Sequence, residues 1–509
     1  MAKYYGIDLG TTNSCVTVYD FDSDKTTVLK PPGQGNLNVV PSVVFYKSAT
    51  EILVGYTAKK RRFNTNTPTE QLFHHFKPEL GTDTSWSVFD LTVTPLSLSA
   101  EVLKKVKEIA GLLGHQITSA VITCPATFGA KERNAIIEAA KLADIAVDPA
   151  YGLVDEPSAA AYDYAIEKDI NLIILDLGGG TLDISLMTCE KDEQSDFFKY
   201  TPINNGGRKN LGGRDWDAVL VGLINEAILA LPSELRKDLD GDGLLQDDKL
   251  QKMIQCEVDQ VKENLTNEAE TSFEYFKDDY EIEVVISRDT FEQATTHLCE
   301  QFLNYLEETL AQHPQFKADQ LILVGGATLM PQIRQGIETK CPEYKELLVF
   351  HDEPFYSVAR GAAKYKHLVE QGAIINKLYC SYAIGPASSS LSKTVKLKTR
   401  LTNFFVKGAI LQAEPLLESR RITVQTTIDD QGLLSLGIYQ NETDTPTLEF
   451  SEGVKVGTVH VELPQKVPQG SVFHLIFFMD TNKLLSVEAE EDDSNPVRIY
   501  QKLNAKLKL

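Results

Sequence analysis

Two stretches of the chain carry the same pattern of apolar and polar positions. From Tyr5 the sequence reads YGIDLGTTNSCVTVYD, and from Ile173 it reads IILDLGGGTLDISLMT. In each, an apolar strand ends in Asp-Leu-Gly, passes through small and hydroxyl residues, and resumes with alternation at Val16 and Val18 or at Ile184 and Leu186. Both copies therefore predict a β-hairpin with a glycine-rich tip. A third glycine-rich turn, Val324-Gly325-Gly326-Ala327-Thr328, follows the apolar run Leu321-Ile322-Leu323.

Helical signals lie between and after these turns. Leu250, Met253, Ile254, Val258, Val261 and Leu265 form an apolar stripe at helical spacing, with Asp259, Lys262, Glu263 and Thr266 on the opposite face. Glu156 precedes Pro157 and an alanine run, which places it where a strand gives way to a helix. Helical signals end near Gln371, and strand-like runs dominate from Tyr382, predicting a separate β-rich domain. Its clearest portion, from Lys455, contains alternating strands and a hairpin turn at Asp480-Thr481-Asn482-Lys483.

A length of 509 residues predicts several folding units. The sequence contains no apolar run of about 18 residues that could span a bilayer. Nor does it open with a secretory signal, so a cytoplasmic location away from membranes is expected. Fifty basic against seventy-two acidic side chains give a net charge of -22, which argues against a nucleic-acid partner. The seven cysteines are scattered without a CxxC pair, so they read as small buried residues rather than zinc or redox groups.

The tips suit phosphate. Without a Cβ, the backbone at Gly10 and at Gly178, Gly179 and Gly180 can approach anionic oxygens, while Thr11, Thr12 and Thr181 add hydroxyls. Asp8, Asp176 and Asp183 at the same places would repel bare phosphate, so they make sense only with a hard cation, Mg²⁺ held largely through water. The sequence has no GxxxxGK[ST] string and no GxGxxG opening a helix; the duplicated tips instead resemble the cradle shared by actin, sugar kinases and heat-shock ATPases.

The motifs GIDLGTTNSCV, VITCPATFGAKERNAIIEAAKLADI from Val121, VDEPSAAAYDYA from Val154, LDLGGGTLDIS, NLGGRDWD from Asn210, LVGGATLMP and VARGAAKY from Val358 resemble, in order, those of the seventy-kilodalton heat-shock (DnaK-type) chaperones. The resemblance implies an α/β actin-like, two-lobed ATPase domain with duplicated ribonuclease-H-like subdomains over 1–372. A linker over 373–383 and a peptide-binding β-sandwich over 384–509 would follow. It also implies an ATP/ADP site with Mg²⁺. Asp8 and Asp176 would organise the metal's water shell, and Lys77, Glu156, Thr181 and Asp183, together with Asp8, would serve hydrolysis. Gly10, Thr11, Thr12, Asn13, Gly178, Gly179, Gly180, Thr181, Gly212, Gly213, Asp259, Lys262, Thr266, Gly325, Gly326 and Ala327 would hold the nucleotide. Pro125 and Arg133 would relay nucleotide state to the second domain; by residue type alone, Pro125 reads as a strand terminator and Arg133 as an exposed helix residue.

The expected activity is a slow ATPase whose nucleotide state controls binding of extended apolar peptides, assisted by a J-domain co-chaperone and a nucleotide-exchange factor. The alternative is a nucleotide-binding regulatory or scaffold protein of the same fold without client cycling. A small-molecule kinase on the same fold is a third reading. Several positions depart from the family. Glu263 and Leu329 stand where two arginines clamp the base, and Phe355 stands where an acid is usual. The linker reads AIINKLYCSYAIGP, and no helical lid is expected after the sandwich. Asp238, Asp240, Asp242 and Gly243 fit half of a calcium loop, but Lys249 takes the place of its final glutamate. Phe404, Phe405, Val406, Ile410 and Leu411 are expected in the sandwich core before any groove.

Overall fold

The computed structural model describes residues 3–31, 39–63, 68–164, 168–193, 197–232, 247–277, 280–350, 353–378, 380–386, 400–411, 416–419, 421–425, 433–441, 443–462, 469–491, 502–503 and 505–508. The segment that resembles half a calcium loop, Asp238 to Gly243, lies outside the described residues.

The echo between the two hairpins extends to whole sheets. In the first, β1 (Lys3–Asp8), β2 (Asn13–Asp20), β3 (Lys25–Val28), β4 (Val121–Cys124) and β5 (Leu153–Asp155) are ordered β5-β4-β1-β2-β3. In the second, β6 (Ile170–Leu177), β7 (Thr181–Lys191), β8 (Phe198–Lys209), β9 (Gln320–Val324) and β10 (Leu348–Phe350) are ordered β8-β7-β6-β9-β10. Each sheet begins with three antiparallel strands and adds two parallel strands beside the first. The registers place Asp8 opposite Cys15 and Asp176 opposite Asp183.

The alternation at Val16, Val18, Ile184 and Leu186 does not mark a one-sided strand. Cys15, Thr17, Asp183 and Ser185 are buried as well. Both faces of each sheet are covered, so the polar positions of the pattern also point into protein. On the first sheet, α1 (Pro95–Leu112) contributes Val102, Leu103 and Val106 to a core with Ile7, Leu9 and Val16. Its start is fixed locally. Thr94 Oγ1 accepts from the Ser97 amide at 3.2 Å, Ser97 Oγ accepts from the Thr94 amide at 2.9 Å, and Pro95 opens the first turn.

Four further helices matter for the site: α2 (Ala130–Leu142), α3 (Glu156–Asp163), α4 (Gly213–Ala230) and α5 (Asp248–Asn267). The stripe Leu250, Ile254, Val258, Val261 and Leu265 of α5 is buried against the second sheet's core, as its spacing predicts. A last helix, α6 (Ser357–Glu370), joins the two halves. A Cβ at Gly6 of β1 would stand 2.2 Å from the Ala363 amide nitrogen, and one at Gly361 would stand 1.6 Å from the Ala159 carbonyl oxygen of α3. Only glycine permits these backbone approaches.

The C-terminal strands form two facing sheets. One joins β11 (Ser381–Pro386), β12 (Arg400–Phe405), β13 (Leu433–Asn441) and β14 (Val454–Glu462). The other is built on β15 (Val472–Met479) and β16 (Leu485–Glu491). Phe404 stacks on Phe477 with ring centroids 4.1 Å apart, and Phe405 and Leu411 are buried in the same core. Val406 and Ile410 differ from expectation. They are 36% and 54% exposed because they flank the Lys407-Gly408 turn that leads out of β12. The cysteines form no disulfide among the described residues; six are buried and Cys380 is half-buried.

Candidate functional site

The two glycine-rich tips meet. A Cβ at Gly179 would lie 2.2 Å from Thr12 Oγ1, and one at Gly180 would lie 3.2 Å from the Thr11 side chain. The first tip is braced from behind, where Ser14 Oγ accepts from the Gly10 amide at 3.2 Å and Ser42 Oγ donates to the Gly10 carbonyl at 2.7 Å. Asn13 opens β2 directly after this tip. The second tip is tied to the start of α4, since the amides of Gly213 and Arg214 donate to the carbonyls of Gly178 and Gly179, both at 2.9 Å. A Cβ at Gly212 would stand 2.6 Å from the Gly180 amide nitrogen, so this closeness depends on glycine.

Four acids and one lysine gather under the tips. Thr123 Oγ1 donates to Asp8 Oδ1 at 3.0 Å, and the Ala126 amide donates to Asp183 Oδ1 at 3.0 Å. Lys77, on a short turn at Lys77–Glu79, donates to Glu156 Oε1 at 2.5 Å. Lys77, Glu156, Asp176, Thr181 and Asp183 are all buried. Burial and the nearby Glu156 raise the Asp8 carboxyl to about 7, against the pull of Lys77 and Thr123. The same two causes raise Asp183 to about 8, and burial with Glu156 and Asp183 pushes Asp176 well above the ordinary range. Burial lowers the Lys77 ammonium, but Glu156 and Asp8 outweigh it and hold its pKa up.

This is an electrostatically incomplete cluster. Four carboxylates share one ammonium, and Asp183 Oδ2 is buried without a hydrogen-bond partner among the described residues. A dication would relieve both features. Among the described residues no three carboxylate, histidine or cysteine side chains converge closely enough to grip an ion directly. The donor set thus fits a metal held through its water shell.

The third glycine-rich turn closes the site from the second sheet. Gly325 has a φ of +83°, and a Cβ there would stand 2.6 Å from Asp176 Oδ1. Ala327 is buried behind it, and the Phe355 ring packs directly on Gly326. The polar face of α5 approaches only in part. Lys262 Nζ donates to the Gly213 carbonyl at 3.1 Å and pairs with Asp217 Oδ1 at 2.5 Å. Asp259 instead turns to Lys59 at 3.7 Å, and the Thr266 hydroxyl donates to its own helix at the Lys262 carbonyl. Leu329 is exposed.

Arg133 corrects the expectation drawn from its residue type. It is 2% exposed and forms an ion pair with Asp155, with its Nε donating to the Phe128 carbonyl at 2.9 Å. Sequence reasoning passed over Asp155, Thr123, Ser42 and Asp217. Asp155 was within reach, because it lies inside the quoted VDEPSAAAYDYA motif beside Glu156.

Comparison with known proteins accords with this geometry. The family model described as Hsp70 protein matches residues 4–91 and 82–379. The Chaperone protein DnaK of Mycoplasmoides gallisepticum (strain R(low / passage 15 / clone 2)) is 29% identical over 508 residues, covering 96% of this chain and 78% of the relative. The chain belongs to the Hsp70 family, and with it to the ATP-binding chaperones of protein folding. No helix among the described residues is long and apolar enough to cross a membrane.

Proposed function

We propose that the chain hydrolyses Mg·ATP to ADP and phosphate, and that nucleotide state controls its hold on extended apolar peptides. The observation that carries this reading is the buried Lys77–Glu156 pair beneath two touching glycine-rich tips. Mg·ATP supplies the γ-phosphoryl group and the metal charge when bound. The protein's part is positioning and charge compensation. Gly10, Thr11, Thr12, Asn13 and Gly178 to Thr181 cradle phosphates from both sides, and Gly212, Gly213, Gly325, Gly326 and Ala327 shape the walls. Asp8 and Asp176 order the metal's waters. Asp183 and Glu156 orient the attacking water, and Lys77 offsets developing charge.

We assign 1–372 to an actin-like ATPase domain, 373–383 to a linker and 384–509 to a peptide-binding sandwich. The repeated strand order of the first two sheets and the end of α6 at Glu370 support this division. J-domain and nucleotide-exchange proteins are the partners the family reading brings with it. The test is steady-state phosphate release with and without an extended apolar peptide. Peptide-accelerated release supports the reading. Tight Mg·ATP binding with no release at all would replace it with a regulatory nucleotide-binding role.

A further inference from the structure

The outer edge of the first sheet borders a cavity of about 490 Å³, within the range of roughly 300 to 1,000 Å³ that small ligands fill. Lys25, Thr26, Thr27 and Val28 all line it. Successive side chains of a strand point to opposite faces, so four consecutive residues share a cavity only along the strand's edge. No described strand pairs with that edge, since β3 ends the strand order β5-β4-β1-β2-β3. The register fixes which backbone groups it offers. Leu29, just past β3, donates its amide to the Val16 carbonyl at 2.9 Å, so Lys25, Thr27 and Leu29 bond toward β2. Thr26 and Val28 therefore turn their amides and carbonyls outward, to the cavity.

The opposite wall is ionic. Arg360 of α6 donates through Nε to Asp163 Oδ2 at 2.9 Å and through a terminal nitrogen to Glu353 Oε2 at 3.0 Å. Lys30, at the end of the edge, stands 3.8 Å from Glu353 Oε1. The two acids differ. Asp163 is 6% exposed and also accepts from Lys364, whereas Glu353 is 45% exposed. Glu353 can therefore swing into water while Asp163 holds the guanidinium in place. Its carboxylate marks where a ligand's carboxylate would be received, on the planar fork of Arg360 with Lys30 beside it. Three cations, Lys25, Lys30 and Arg360, face these two acids, so the cavity is locally positive in a chain of net charge -22.

We propose that this edge cavity is a binding site for a small dicarboxylate. One carboxylate displaces that of Glu353 from Arg360 and Lys30. The other lies along β3, where it accepts from the outward amides of Thr26 and Val28, with Lys25 beyond them. Backbone amides are a recurring means of capturing a carboxylate, and the lysine adds charge to them. The site uses none of the residues assigned above to the nucleotide, so it stands whether or not the chain hydrolyses ATP.

The test titrates the full chain with glutarate and follows hydrogen exchange over 25–31. Glutarate should slow exchange there saturably, by about threefold or more, and leave 10–13 and 178–181 unchanged. Glu353→Gln removes the internal competitor and should tighten glutarate binding by about threefold, whereas Lys30→Gln removes a cation and should loosen it by about the same factor. Both side chains are half exposed, so neither substitution disturbs the core. Acetate, with one carboxylate, should bind more weakly than glutarate in all three chains. Unchanged exchange over 25–31 in both the parent and Glu353→Gln overturns the site. Equal glutarate affinity in the parent, Glu353→Gln and Lys30→Gln overturns the place given to the first carboxylate. Acetate binding as tightly as glutarate overturns the dicarboxylate class.

Discussion

Lys77 and Glu156 form a 2.5 Å ion pair with both side chains almost fully removed from water. Such a pair is costly to desolvate, and losing one partner leaves the other charge buried and uncompensated. Lys77→Met, which strips four buried carboxyl groups of their one ammonium, should therefore destabilise the ATPase portion by about 3 to 5 kcal/mol, seen as a lower midpoint of its denaturant transition. The double variant Lys77→Met/Glu156→Leu should recover most of that loss. Equal loss in the single and double variants would show that the pair is not coupled as its geometry requires.

The approach of α6 to α3 gives a second prediction. Gly361→Ala places a methyl group 1.6 Å from the Ala159 carbonyl oxygen, and neither backbone can yield without moving its helix. The expected loss is about 3 kcal/mol. Gly222→Ala, in the middle of α4 with nothing within 4 Å of the added Cβ, should instead stabilise by about 0.5 to 1 kcal/mol. Thermal melting of the two variants should move in opposite directions.

Asp480 supplies a pH dependence. Burial raises its carboxyl to about 6, against the amides of Leu484 and Asn482 and the charge of Arg133. The folded pKa is above the unfolded one, so the folded chain binds the extra proton. The stability this provides is full below pH about 4 and is lost as pH rises through about 6. Asp480→Asn keeps the acceptor for the Leu484 amide but cannot ionise. Its melting temperature should fall less than the parent's between pH 5 and 7, and parallel profiles would contradict the assignment.

Glu263 is an exposed residue on the polar face of α5 beside Asp259 and Lys262, and partial desolvation raises its carboxyl pKa. An acid there offers no flat cation to cover a purine. Glu263→Arg should tighten Mg·ATP binding by about threefold to thirtyfold in calorimetric titration. Weaker binding would mean that this chain holds the base by other contacts.

What the sequence disclosed followed the chemistry that restricts residue type. Glycines at 10, 212 and 325 are demanded by backbone approach, and Gly179 by the facing Thr12 side chain, so the tips could be read directly. The start of α3 at Glu156 and the stripe of α5 were equally plain, since proline and helical spacing act locally. Arg133 was not legible, because its burial depends on Asp155 and on a turn at residue 483 that only folding brings near. The two-sided burial of β2 and β7 was hidden for a related reason, since alternation reports one face and helices from distant sequence cover the other. Val406 and Ile410 have the residue types of a core, but their place beside a surface turn decided their exposure.

The most direct measurement is single-turnover hydrolysis of Mg·ATP by the parent chain, Lys77→Met and Asp8→Asn, with Mg·ATP binding measured alongside. The expected result is hydrolysis by the parent and a loss of about 100-fold or more in Lys77→Met, with binding retained. Asp8→Asn should lose the Mg²⁺ dependence of turnover. Parental rates in both variants would contradict the account.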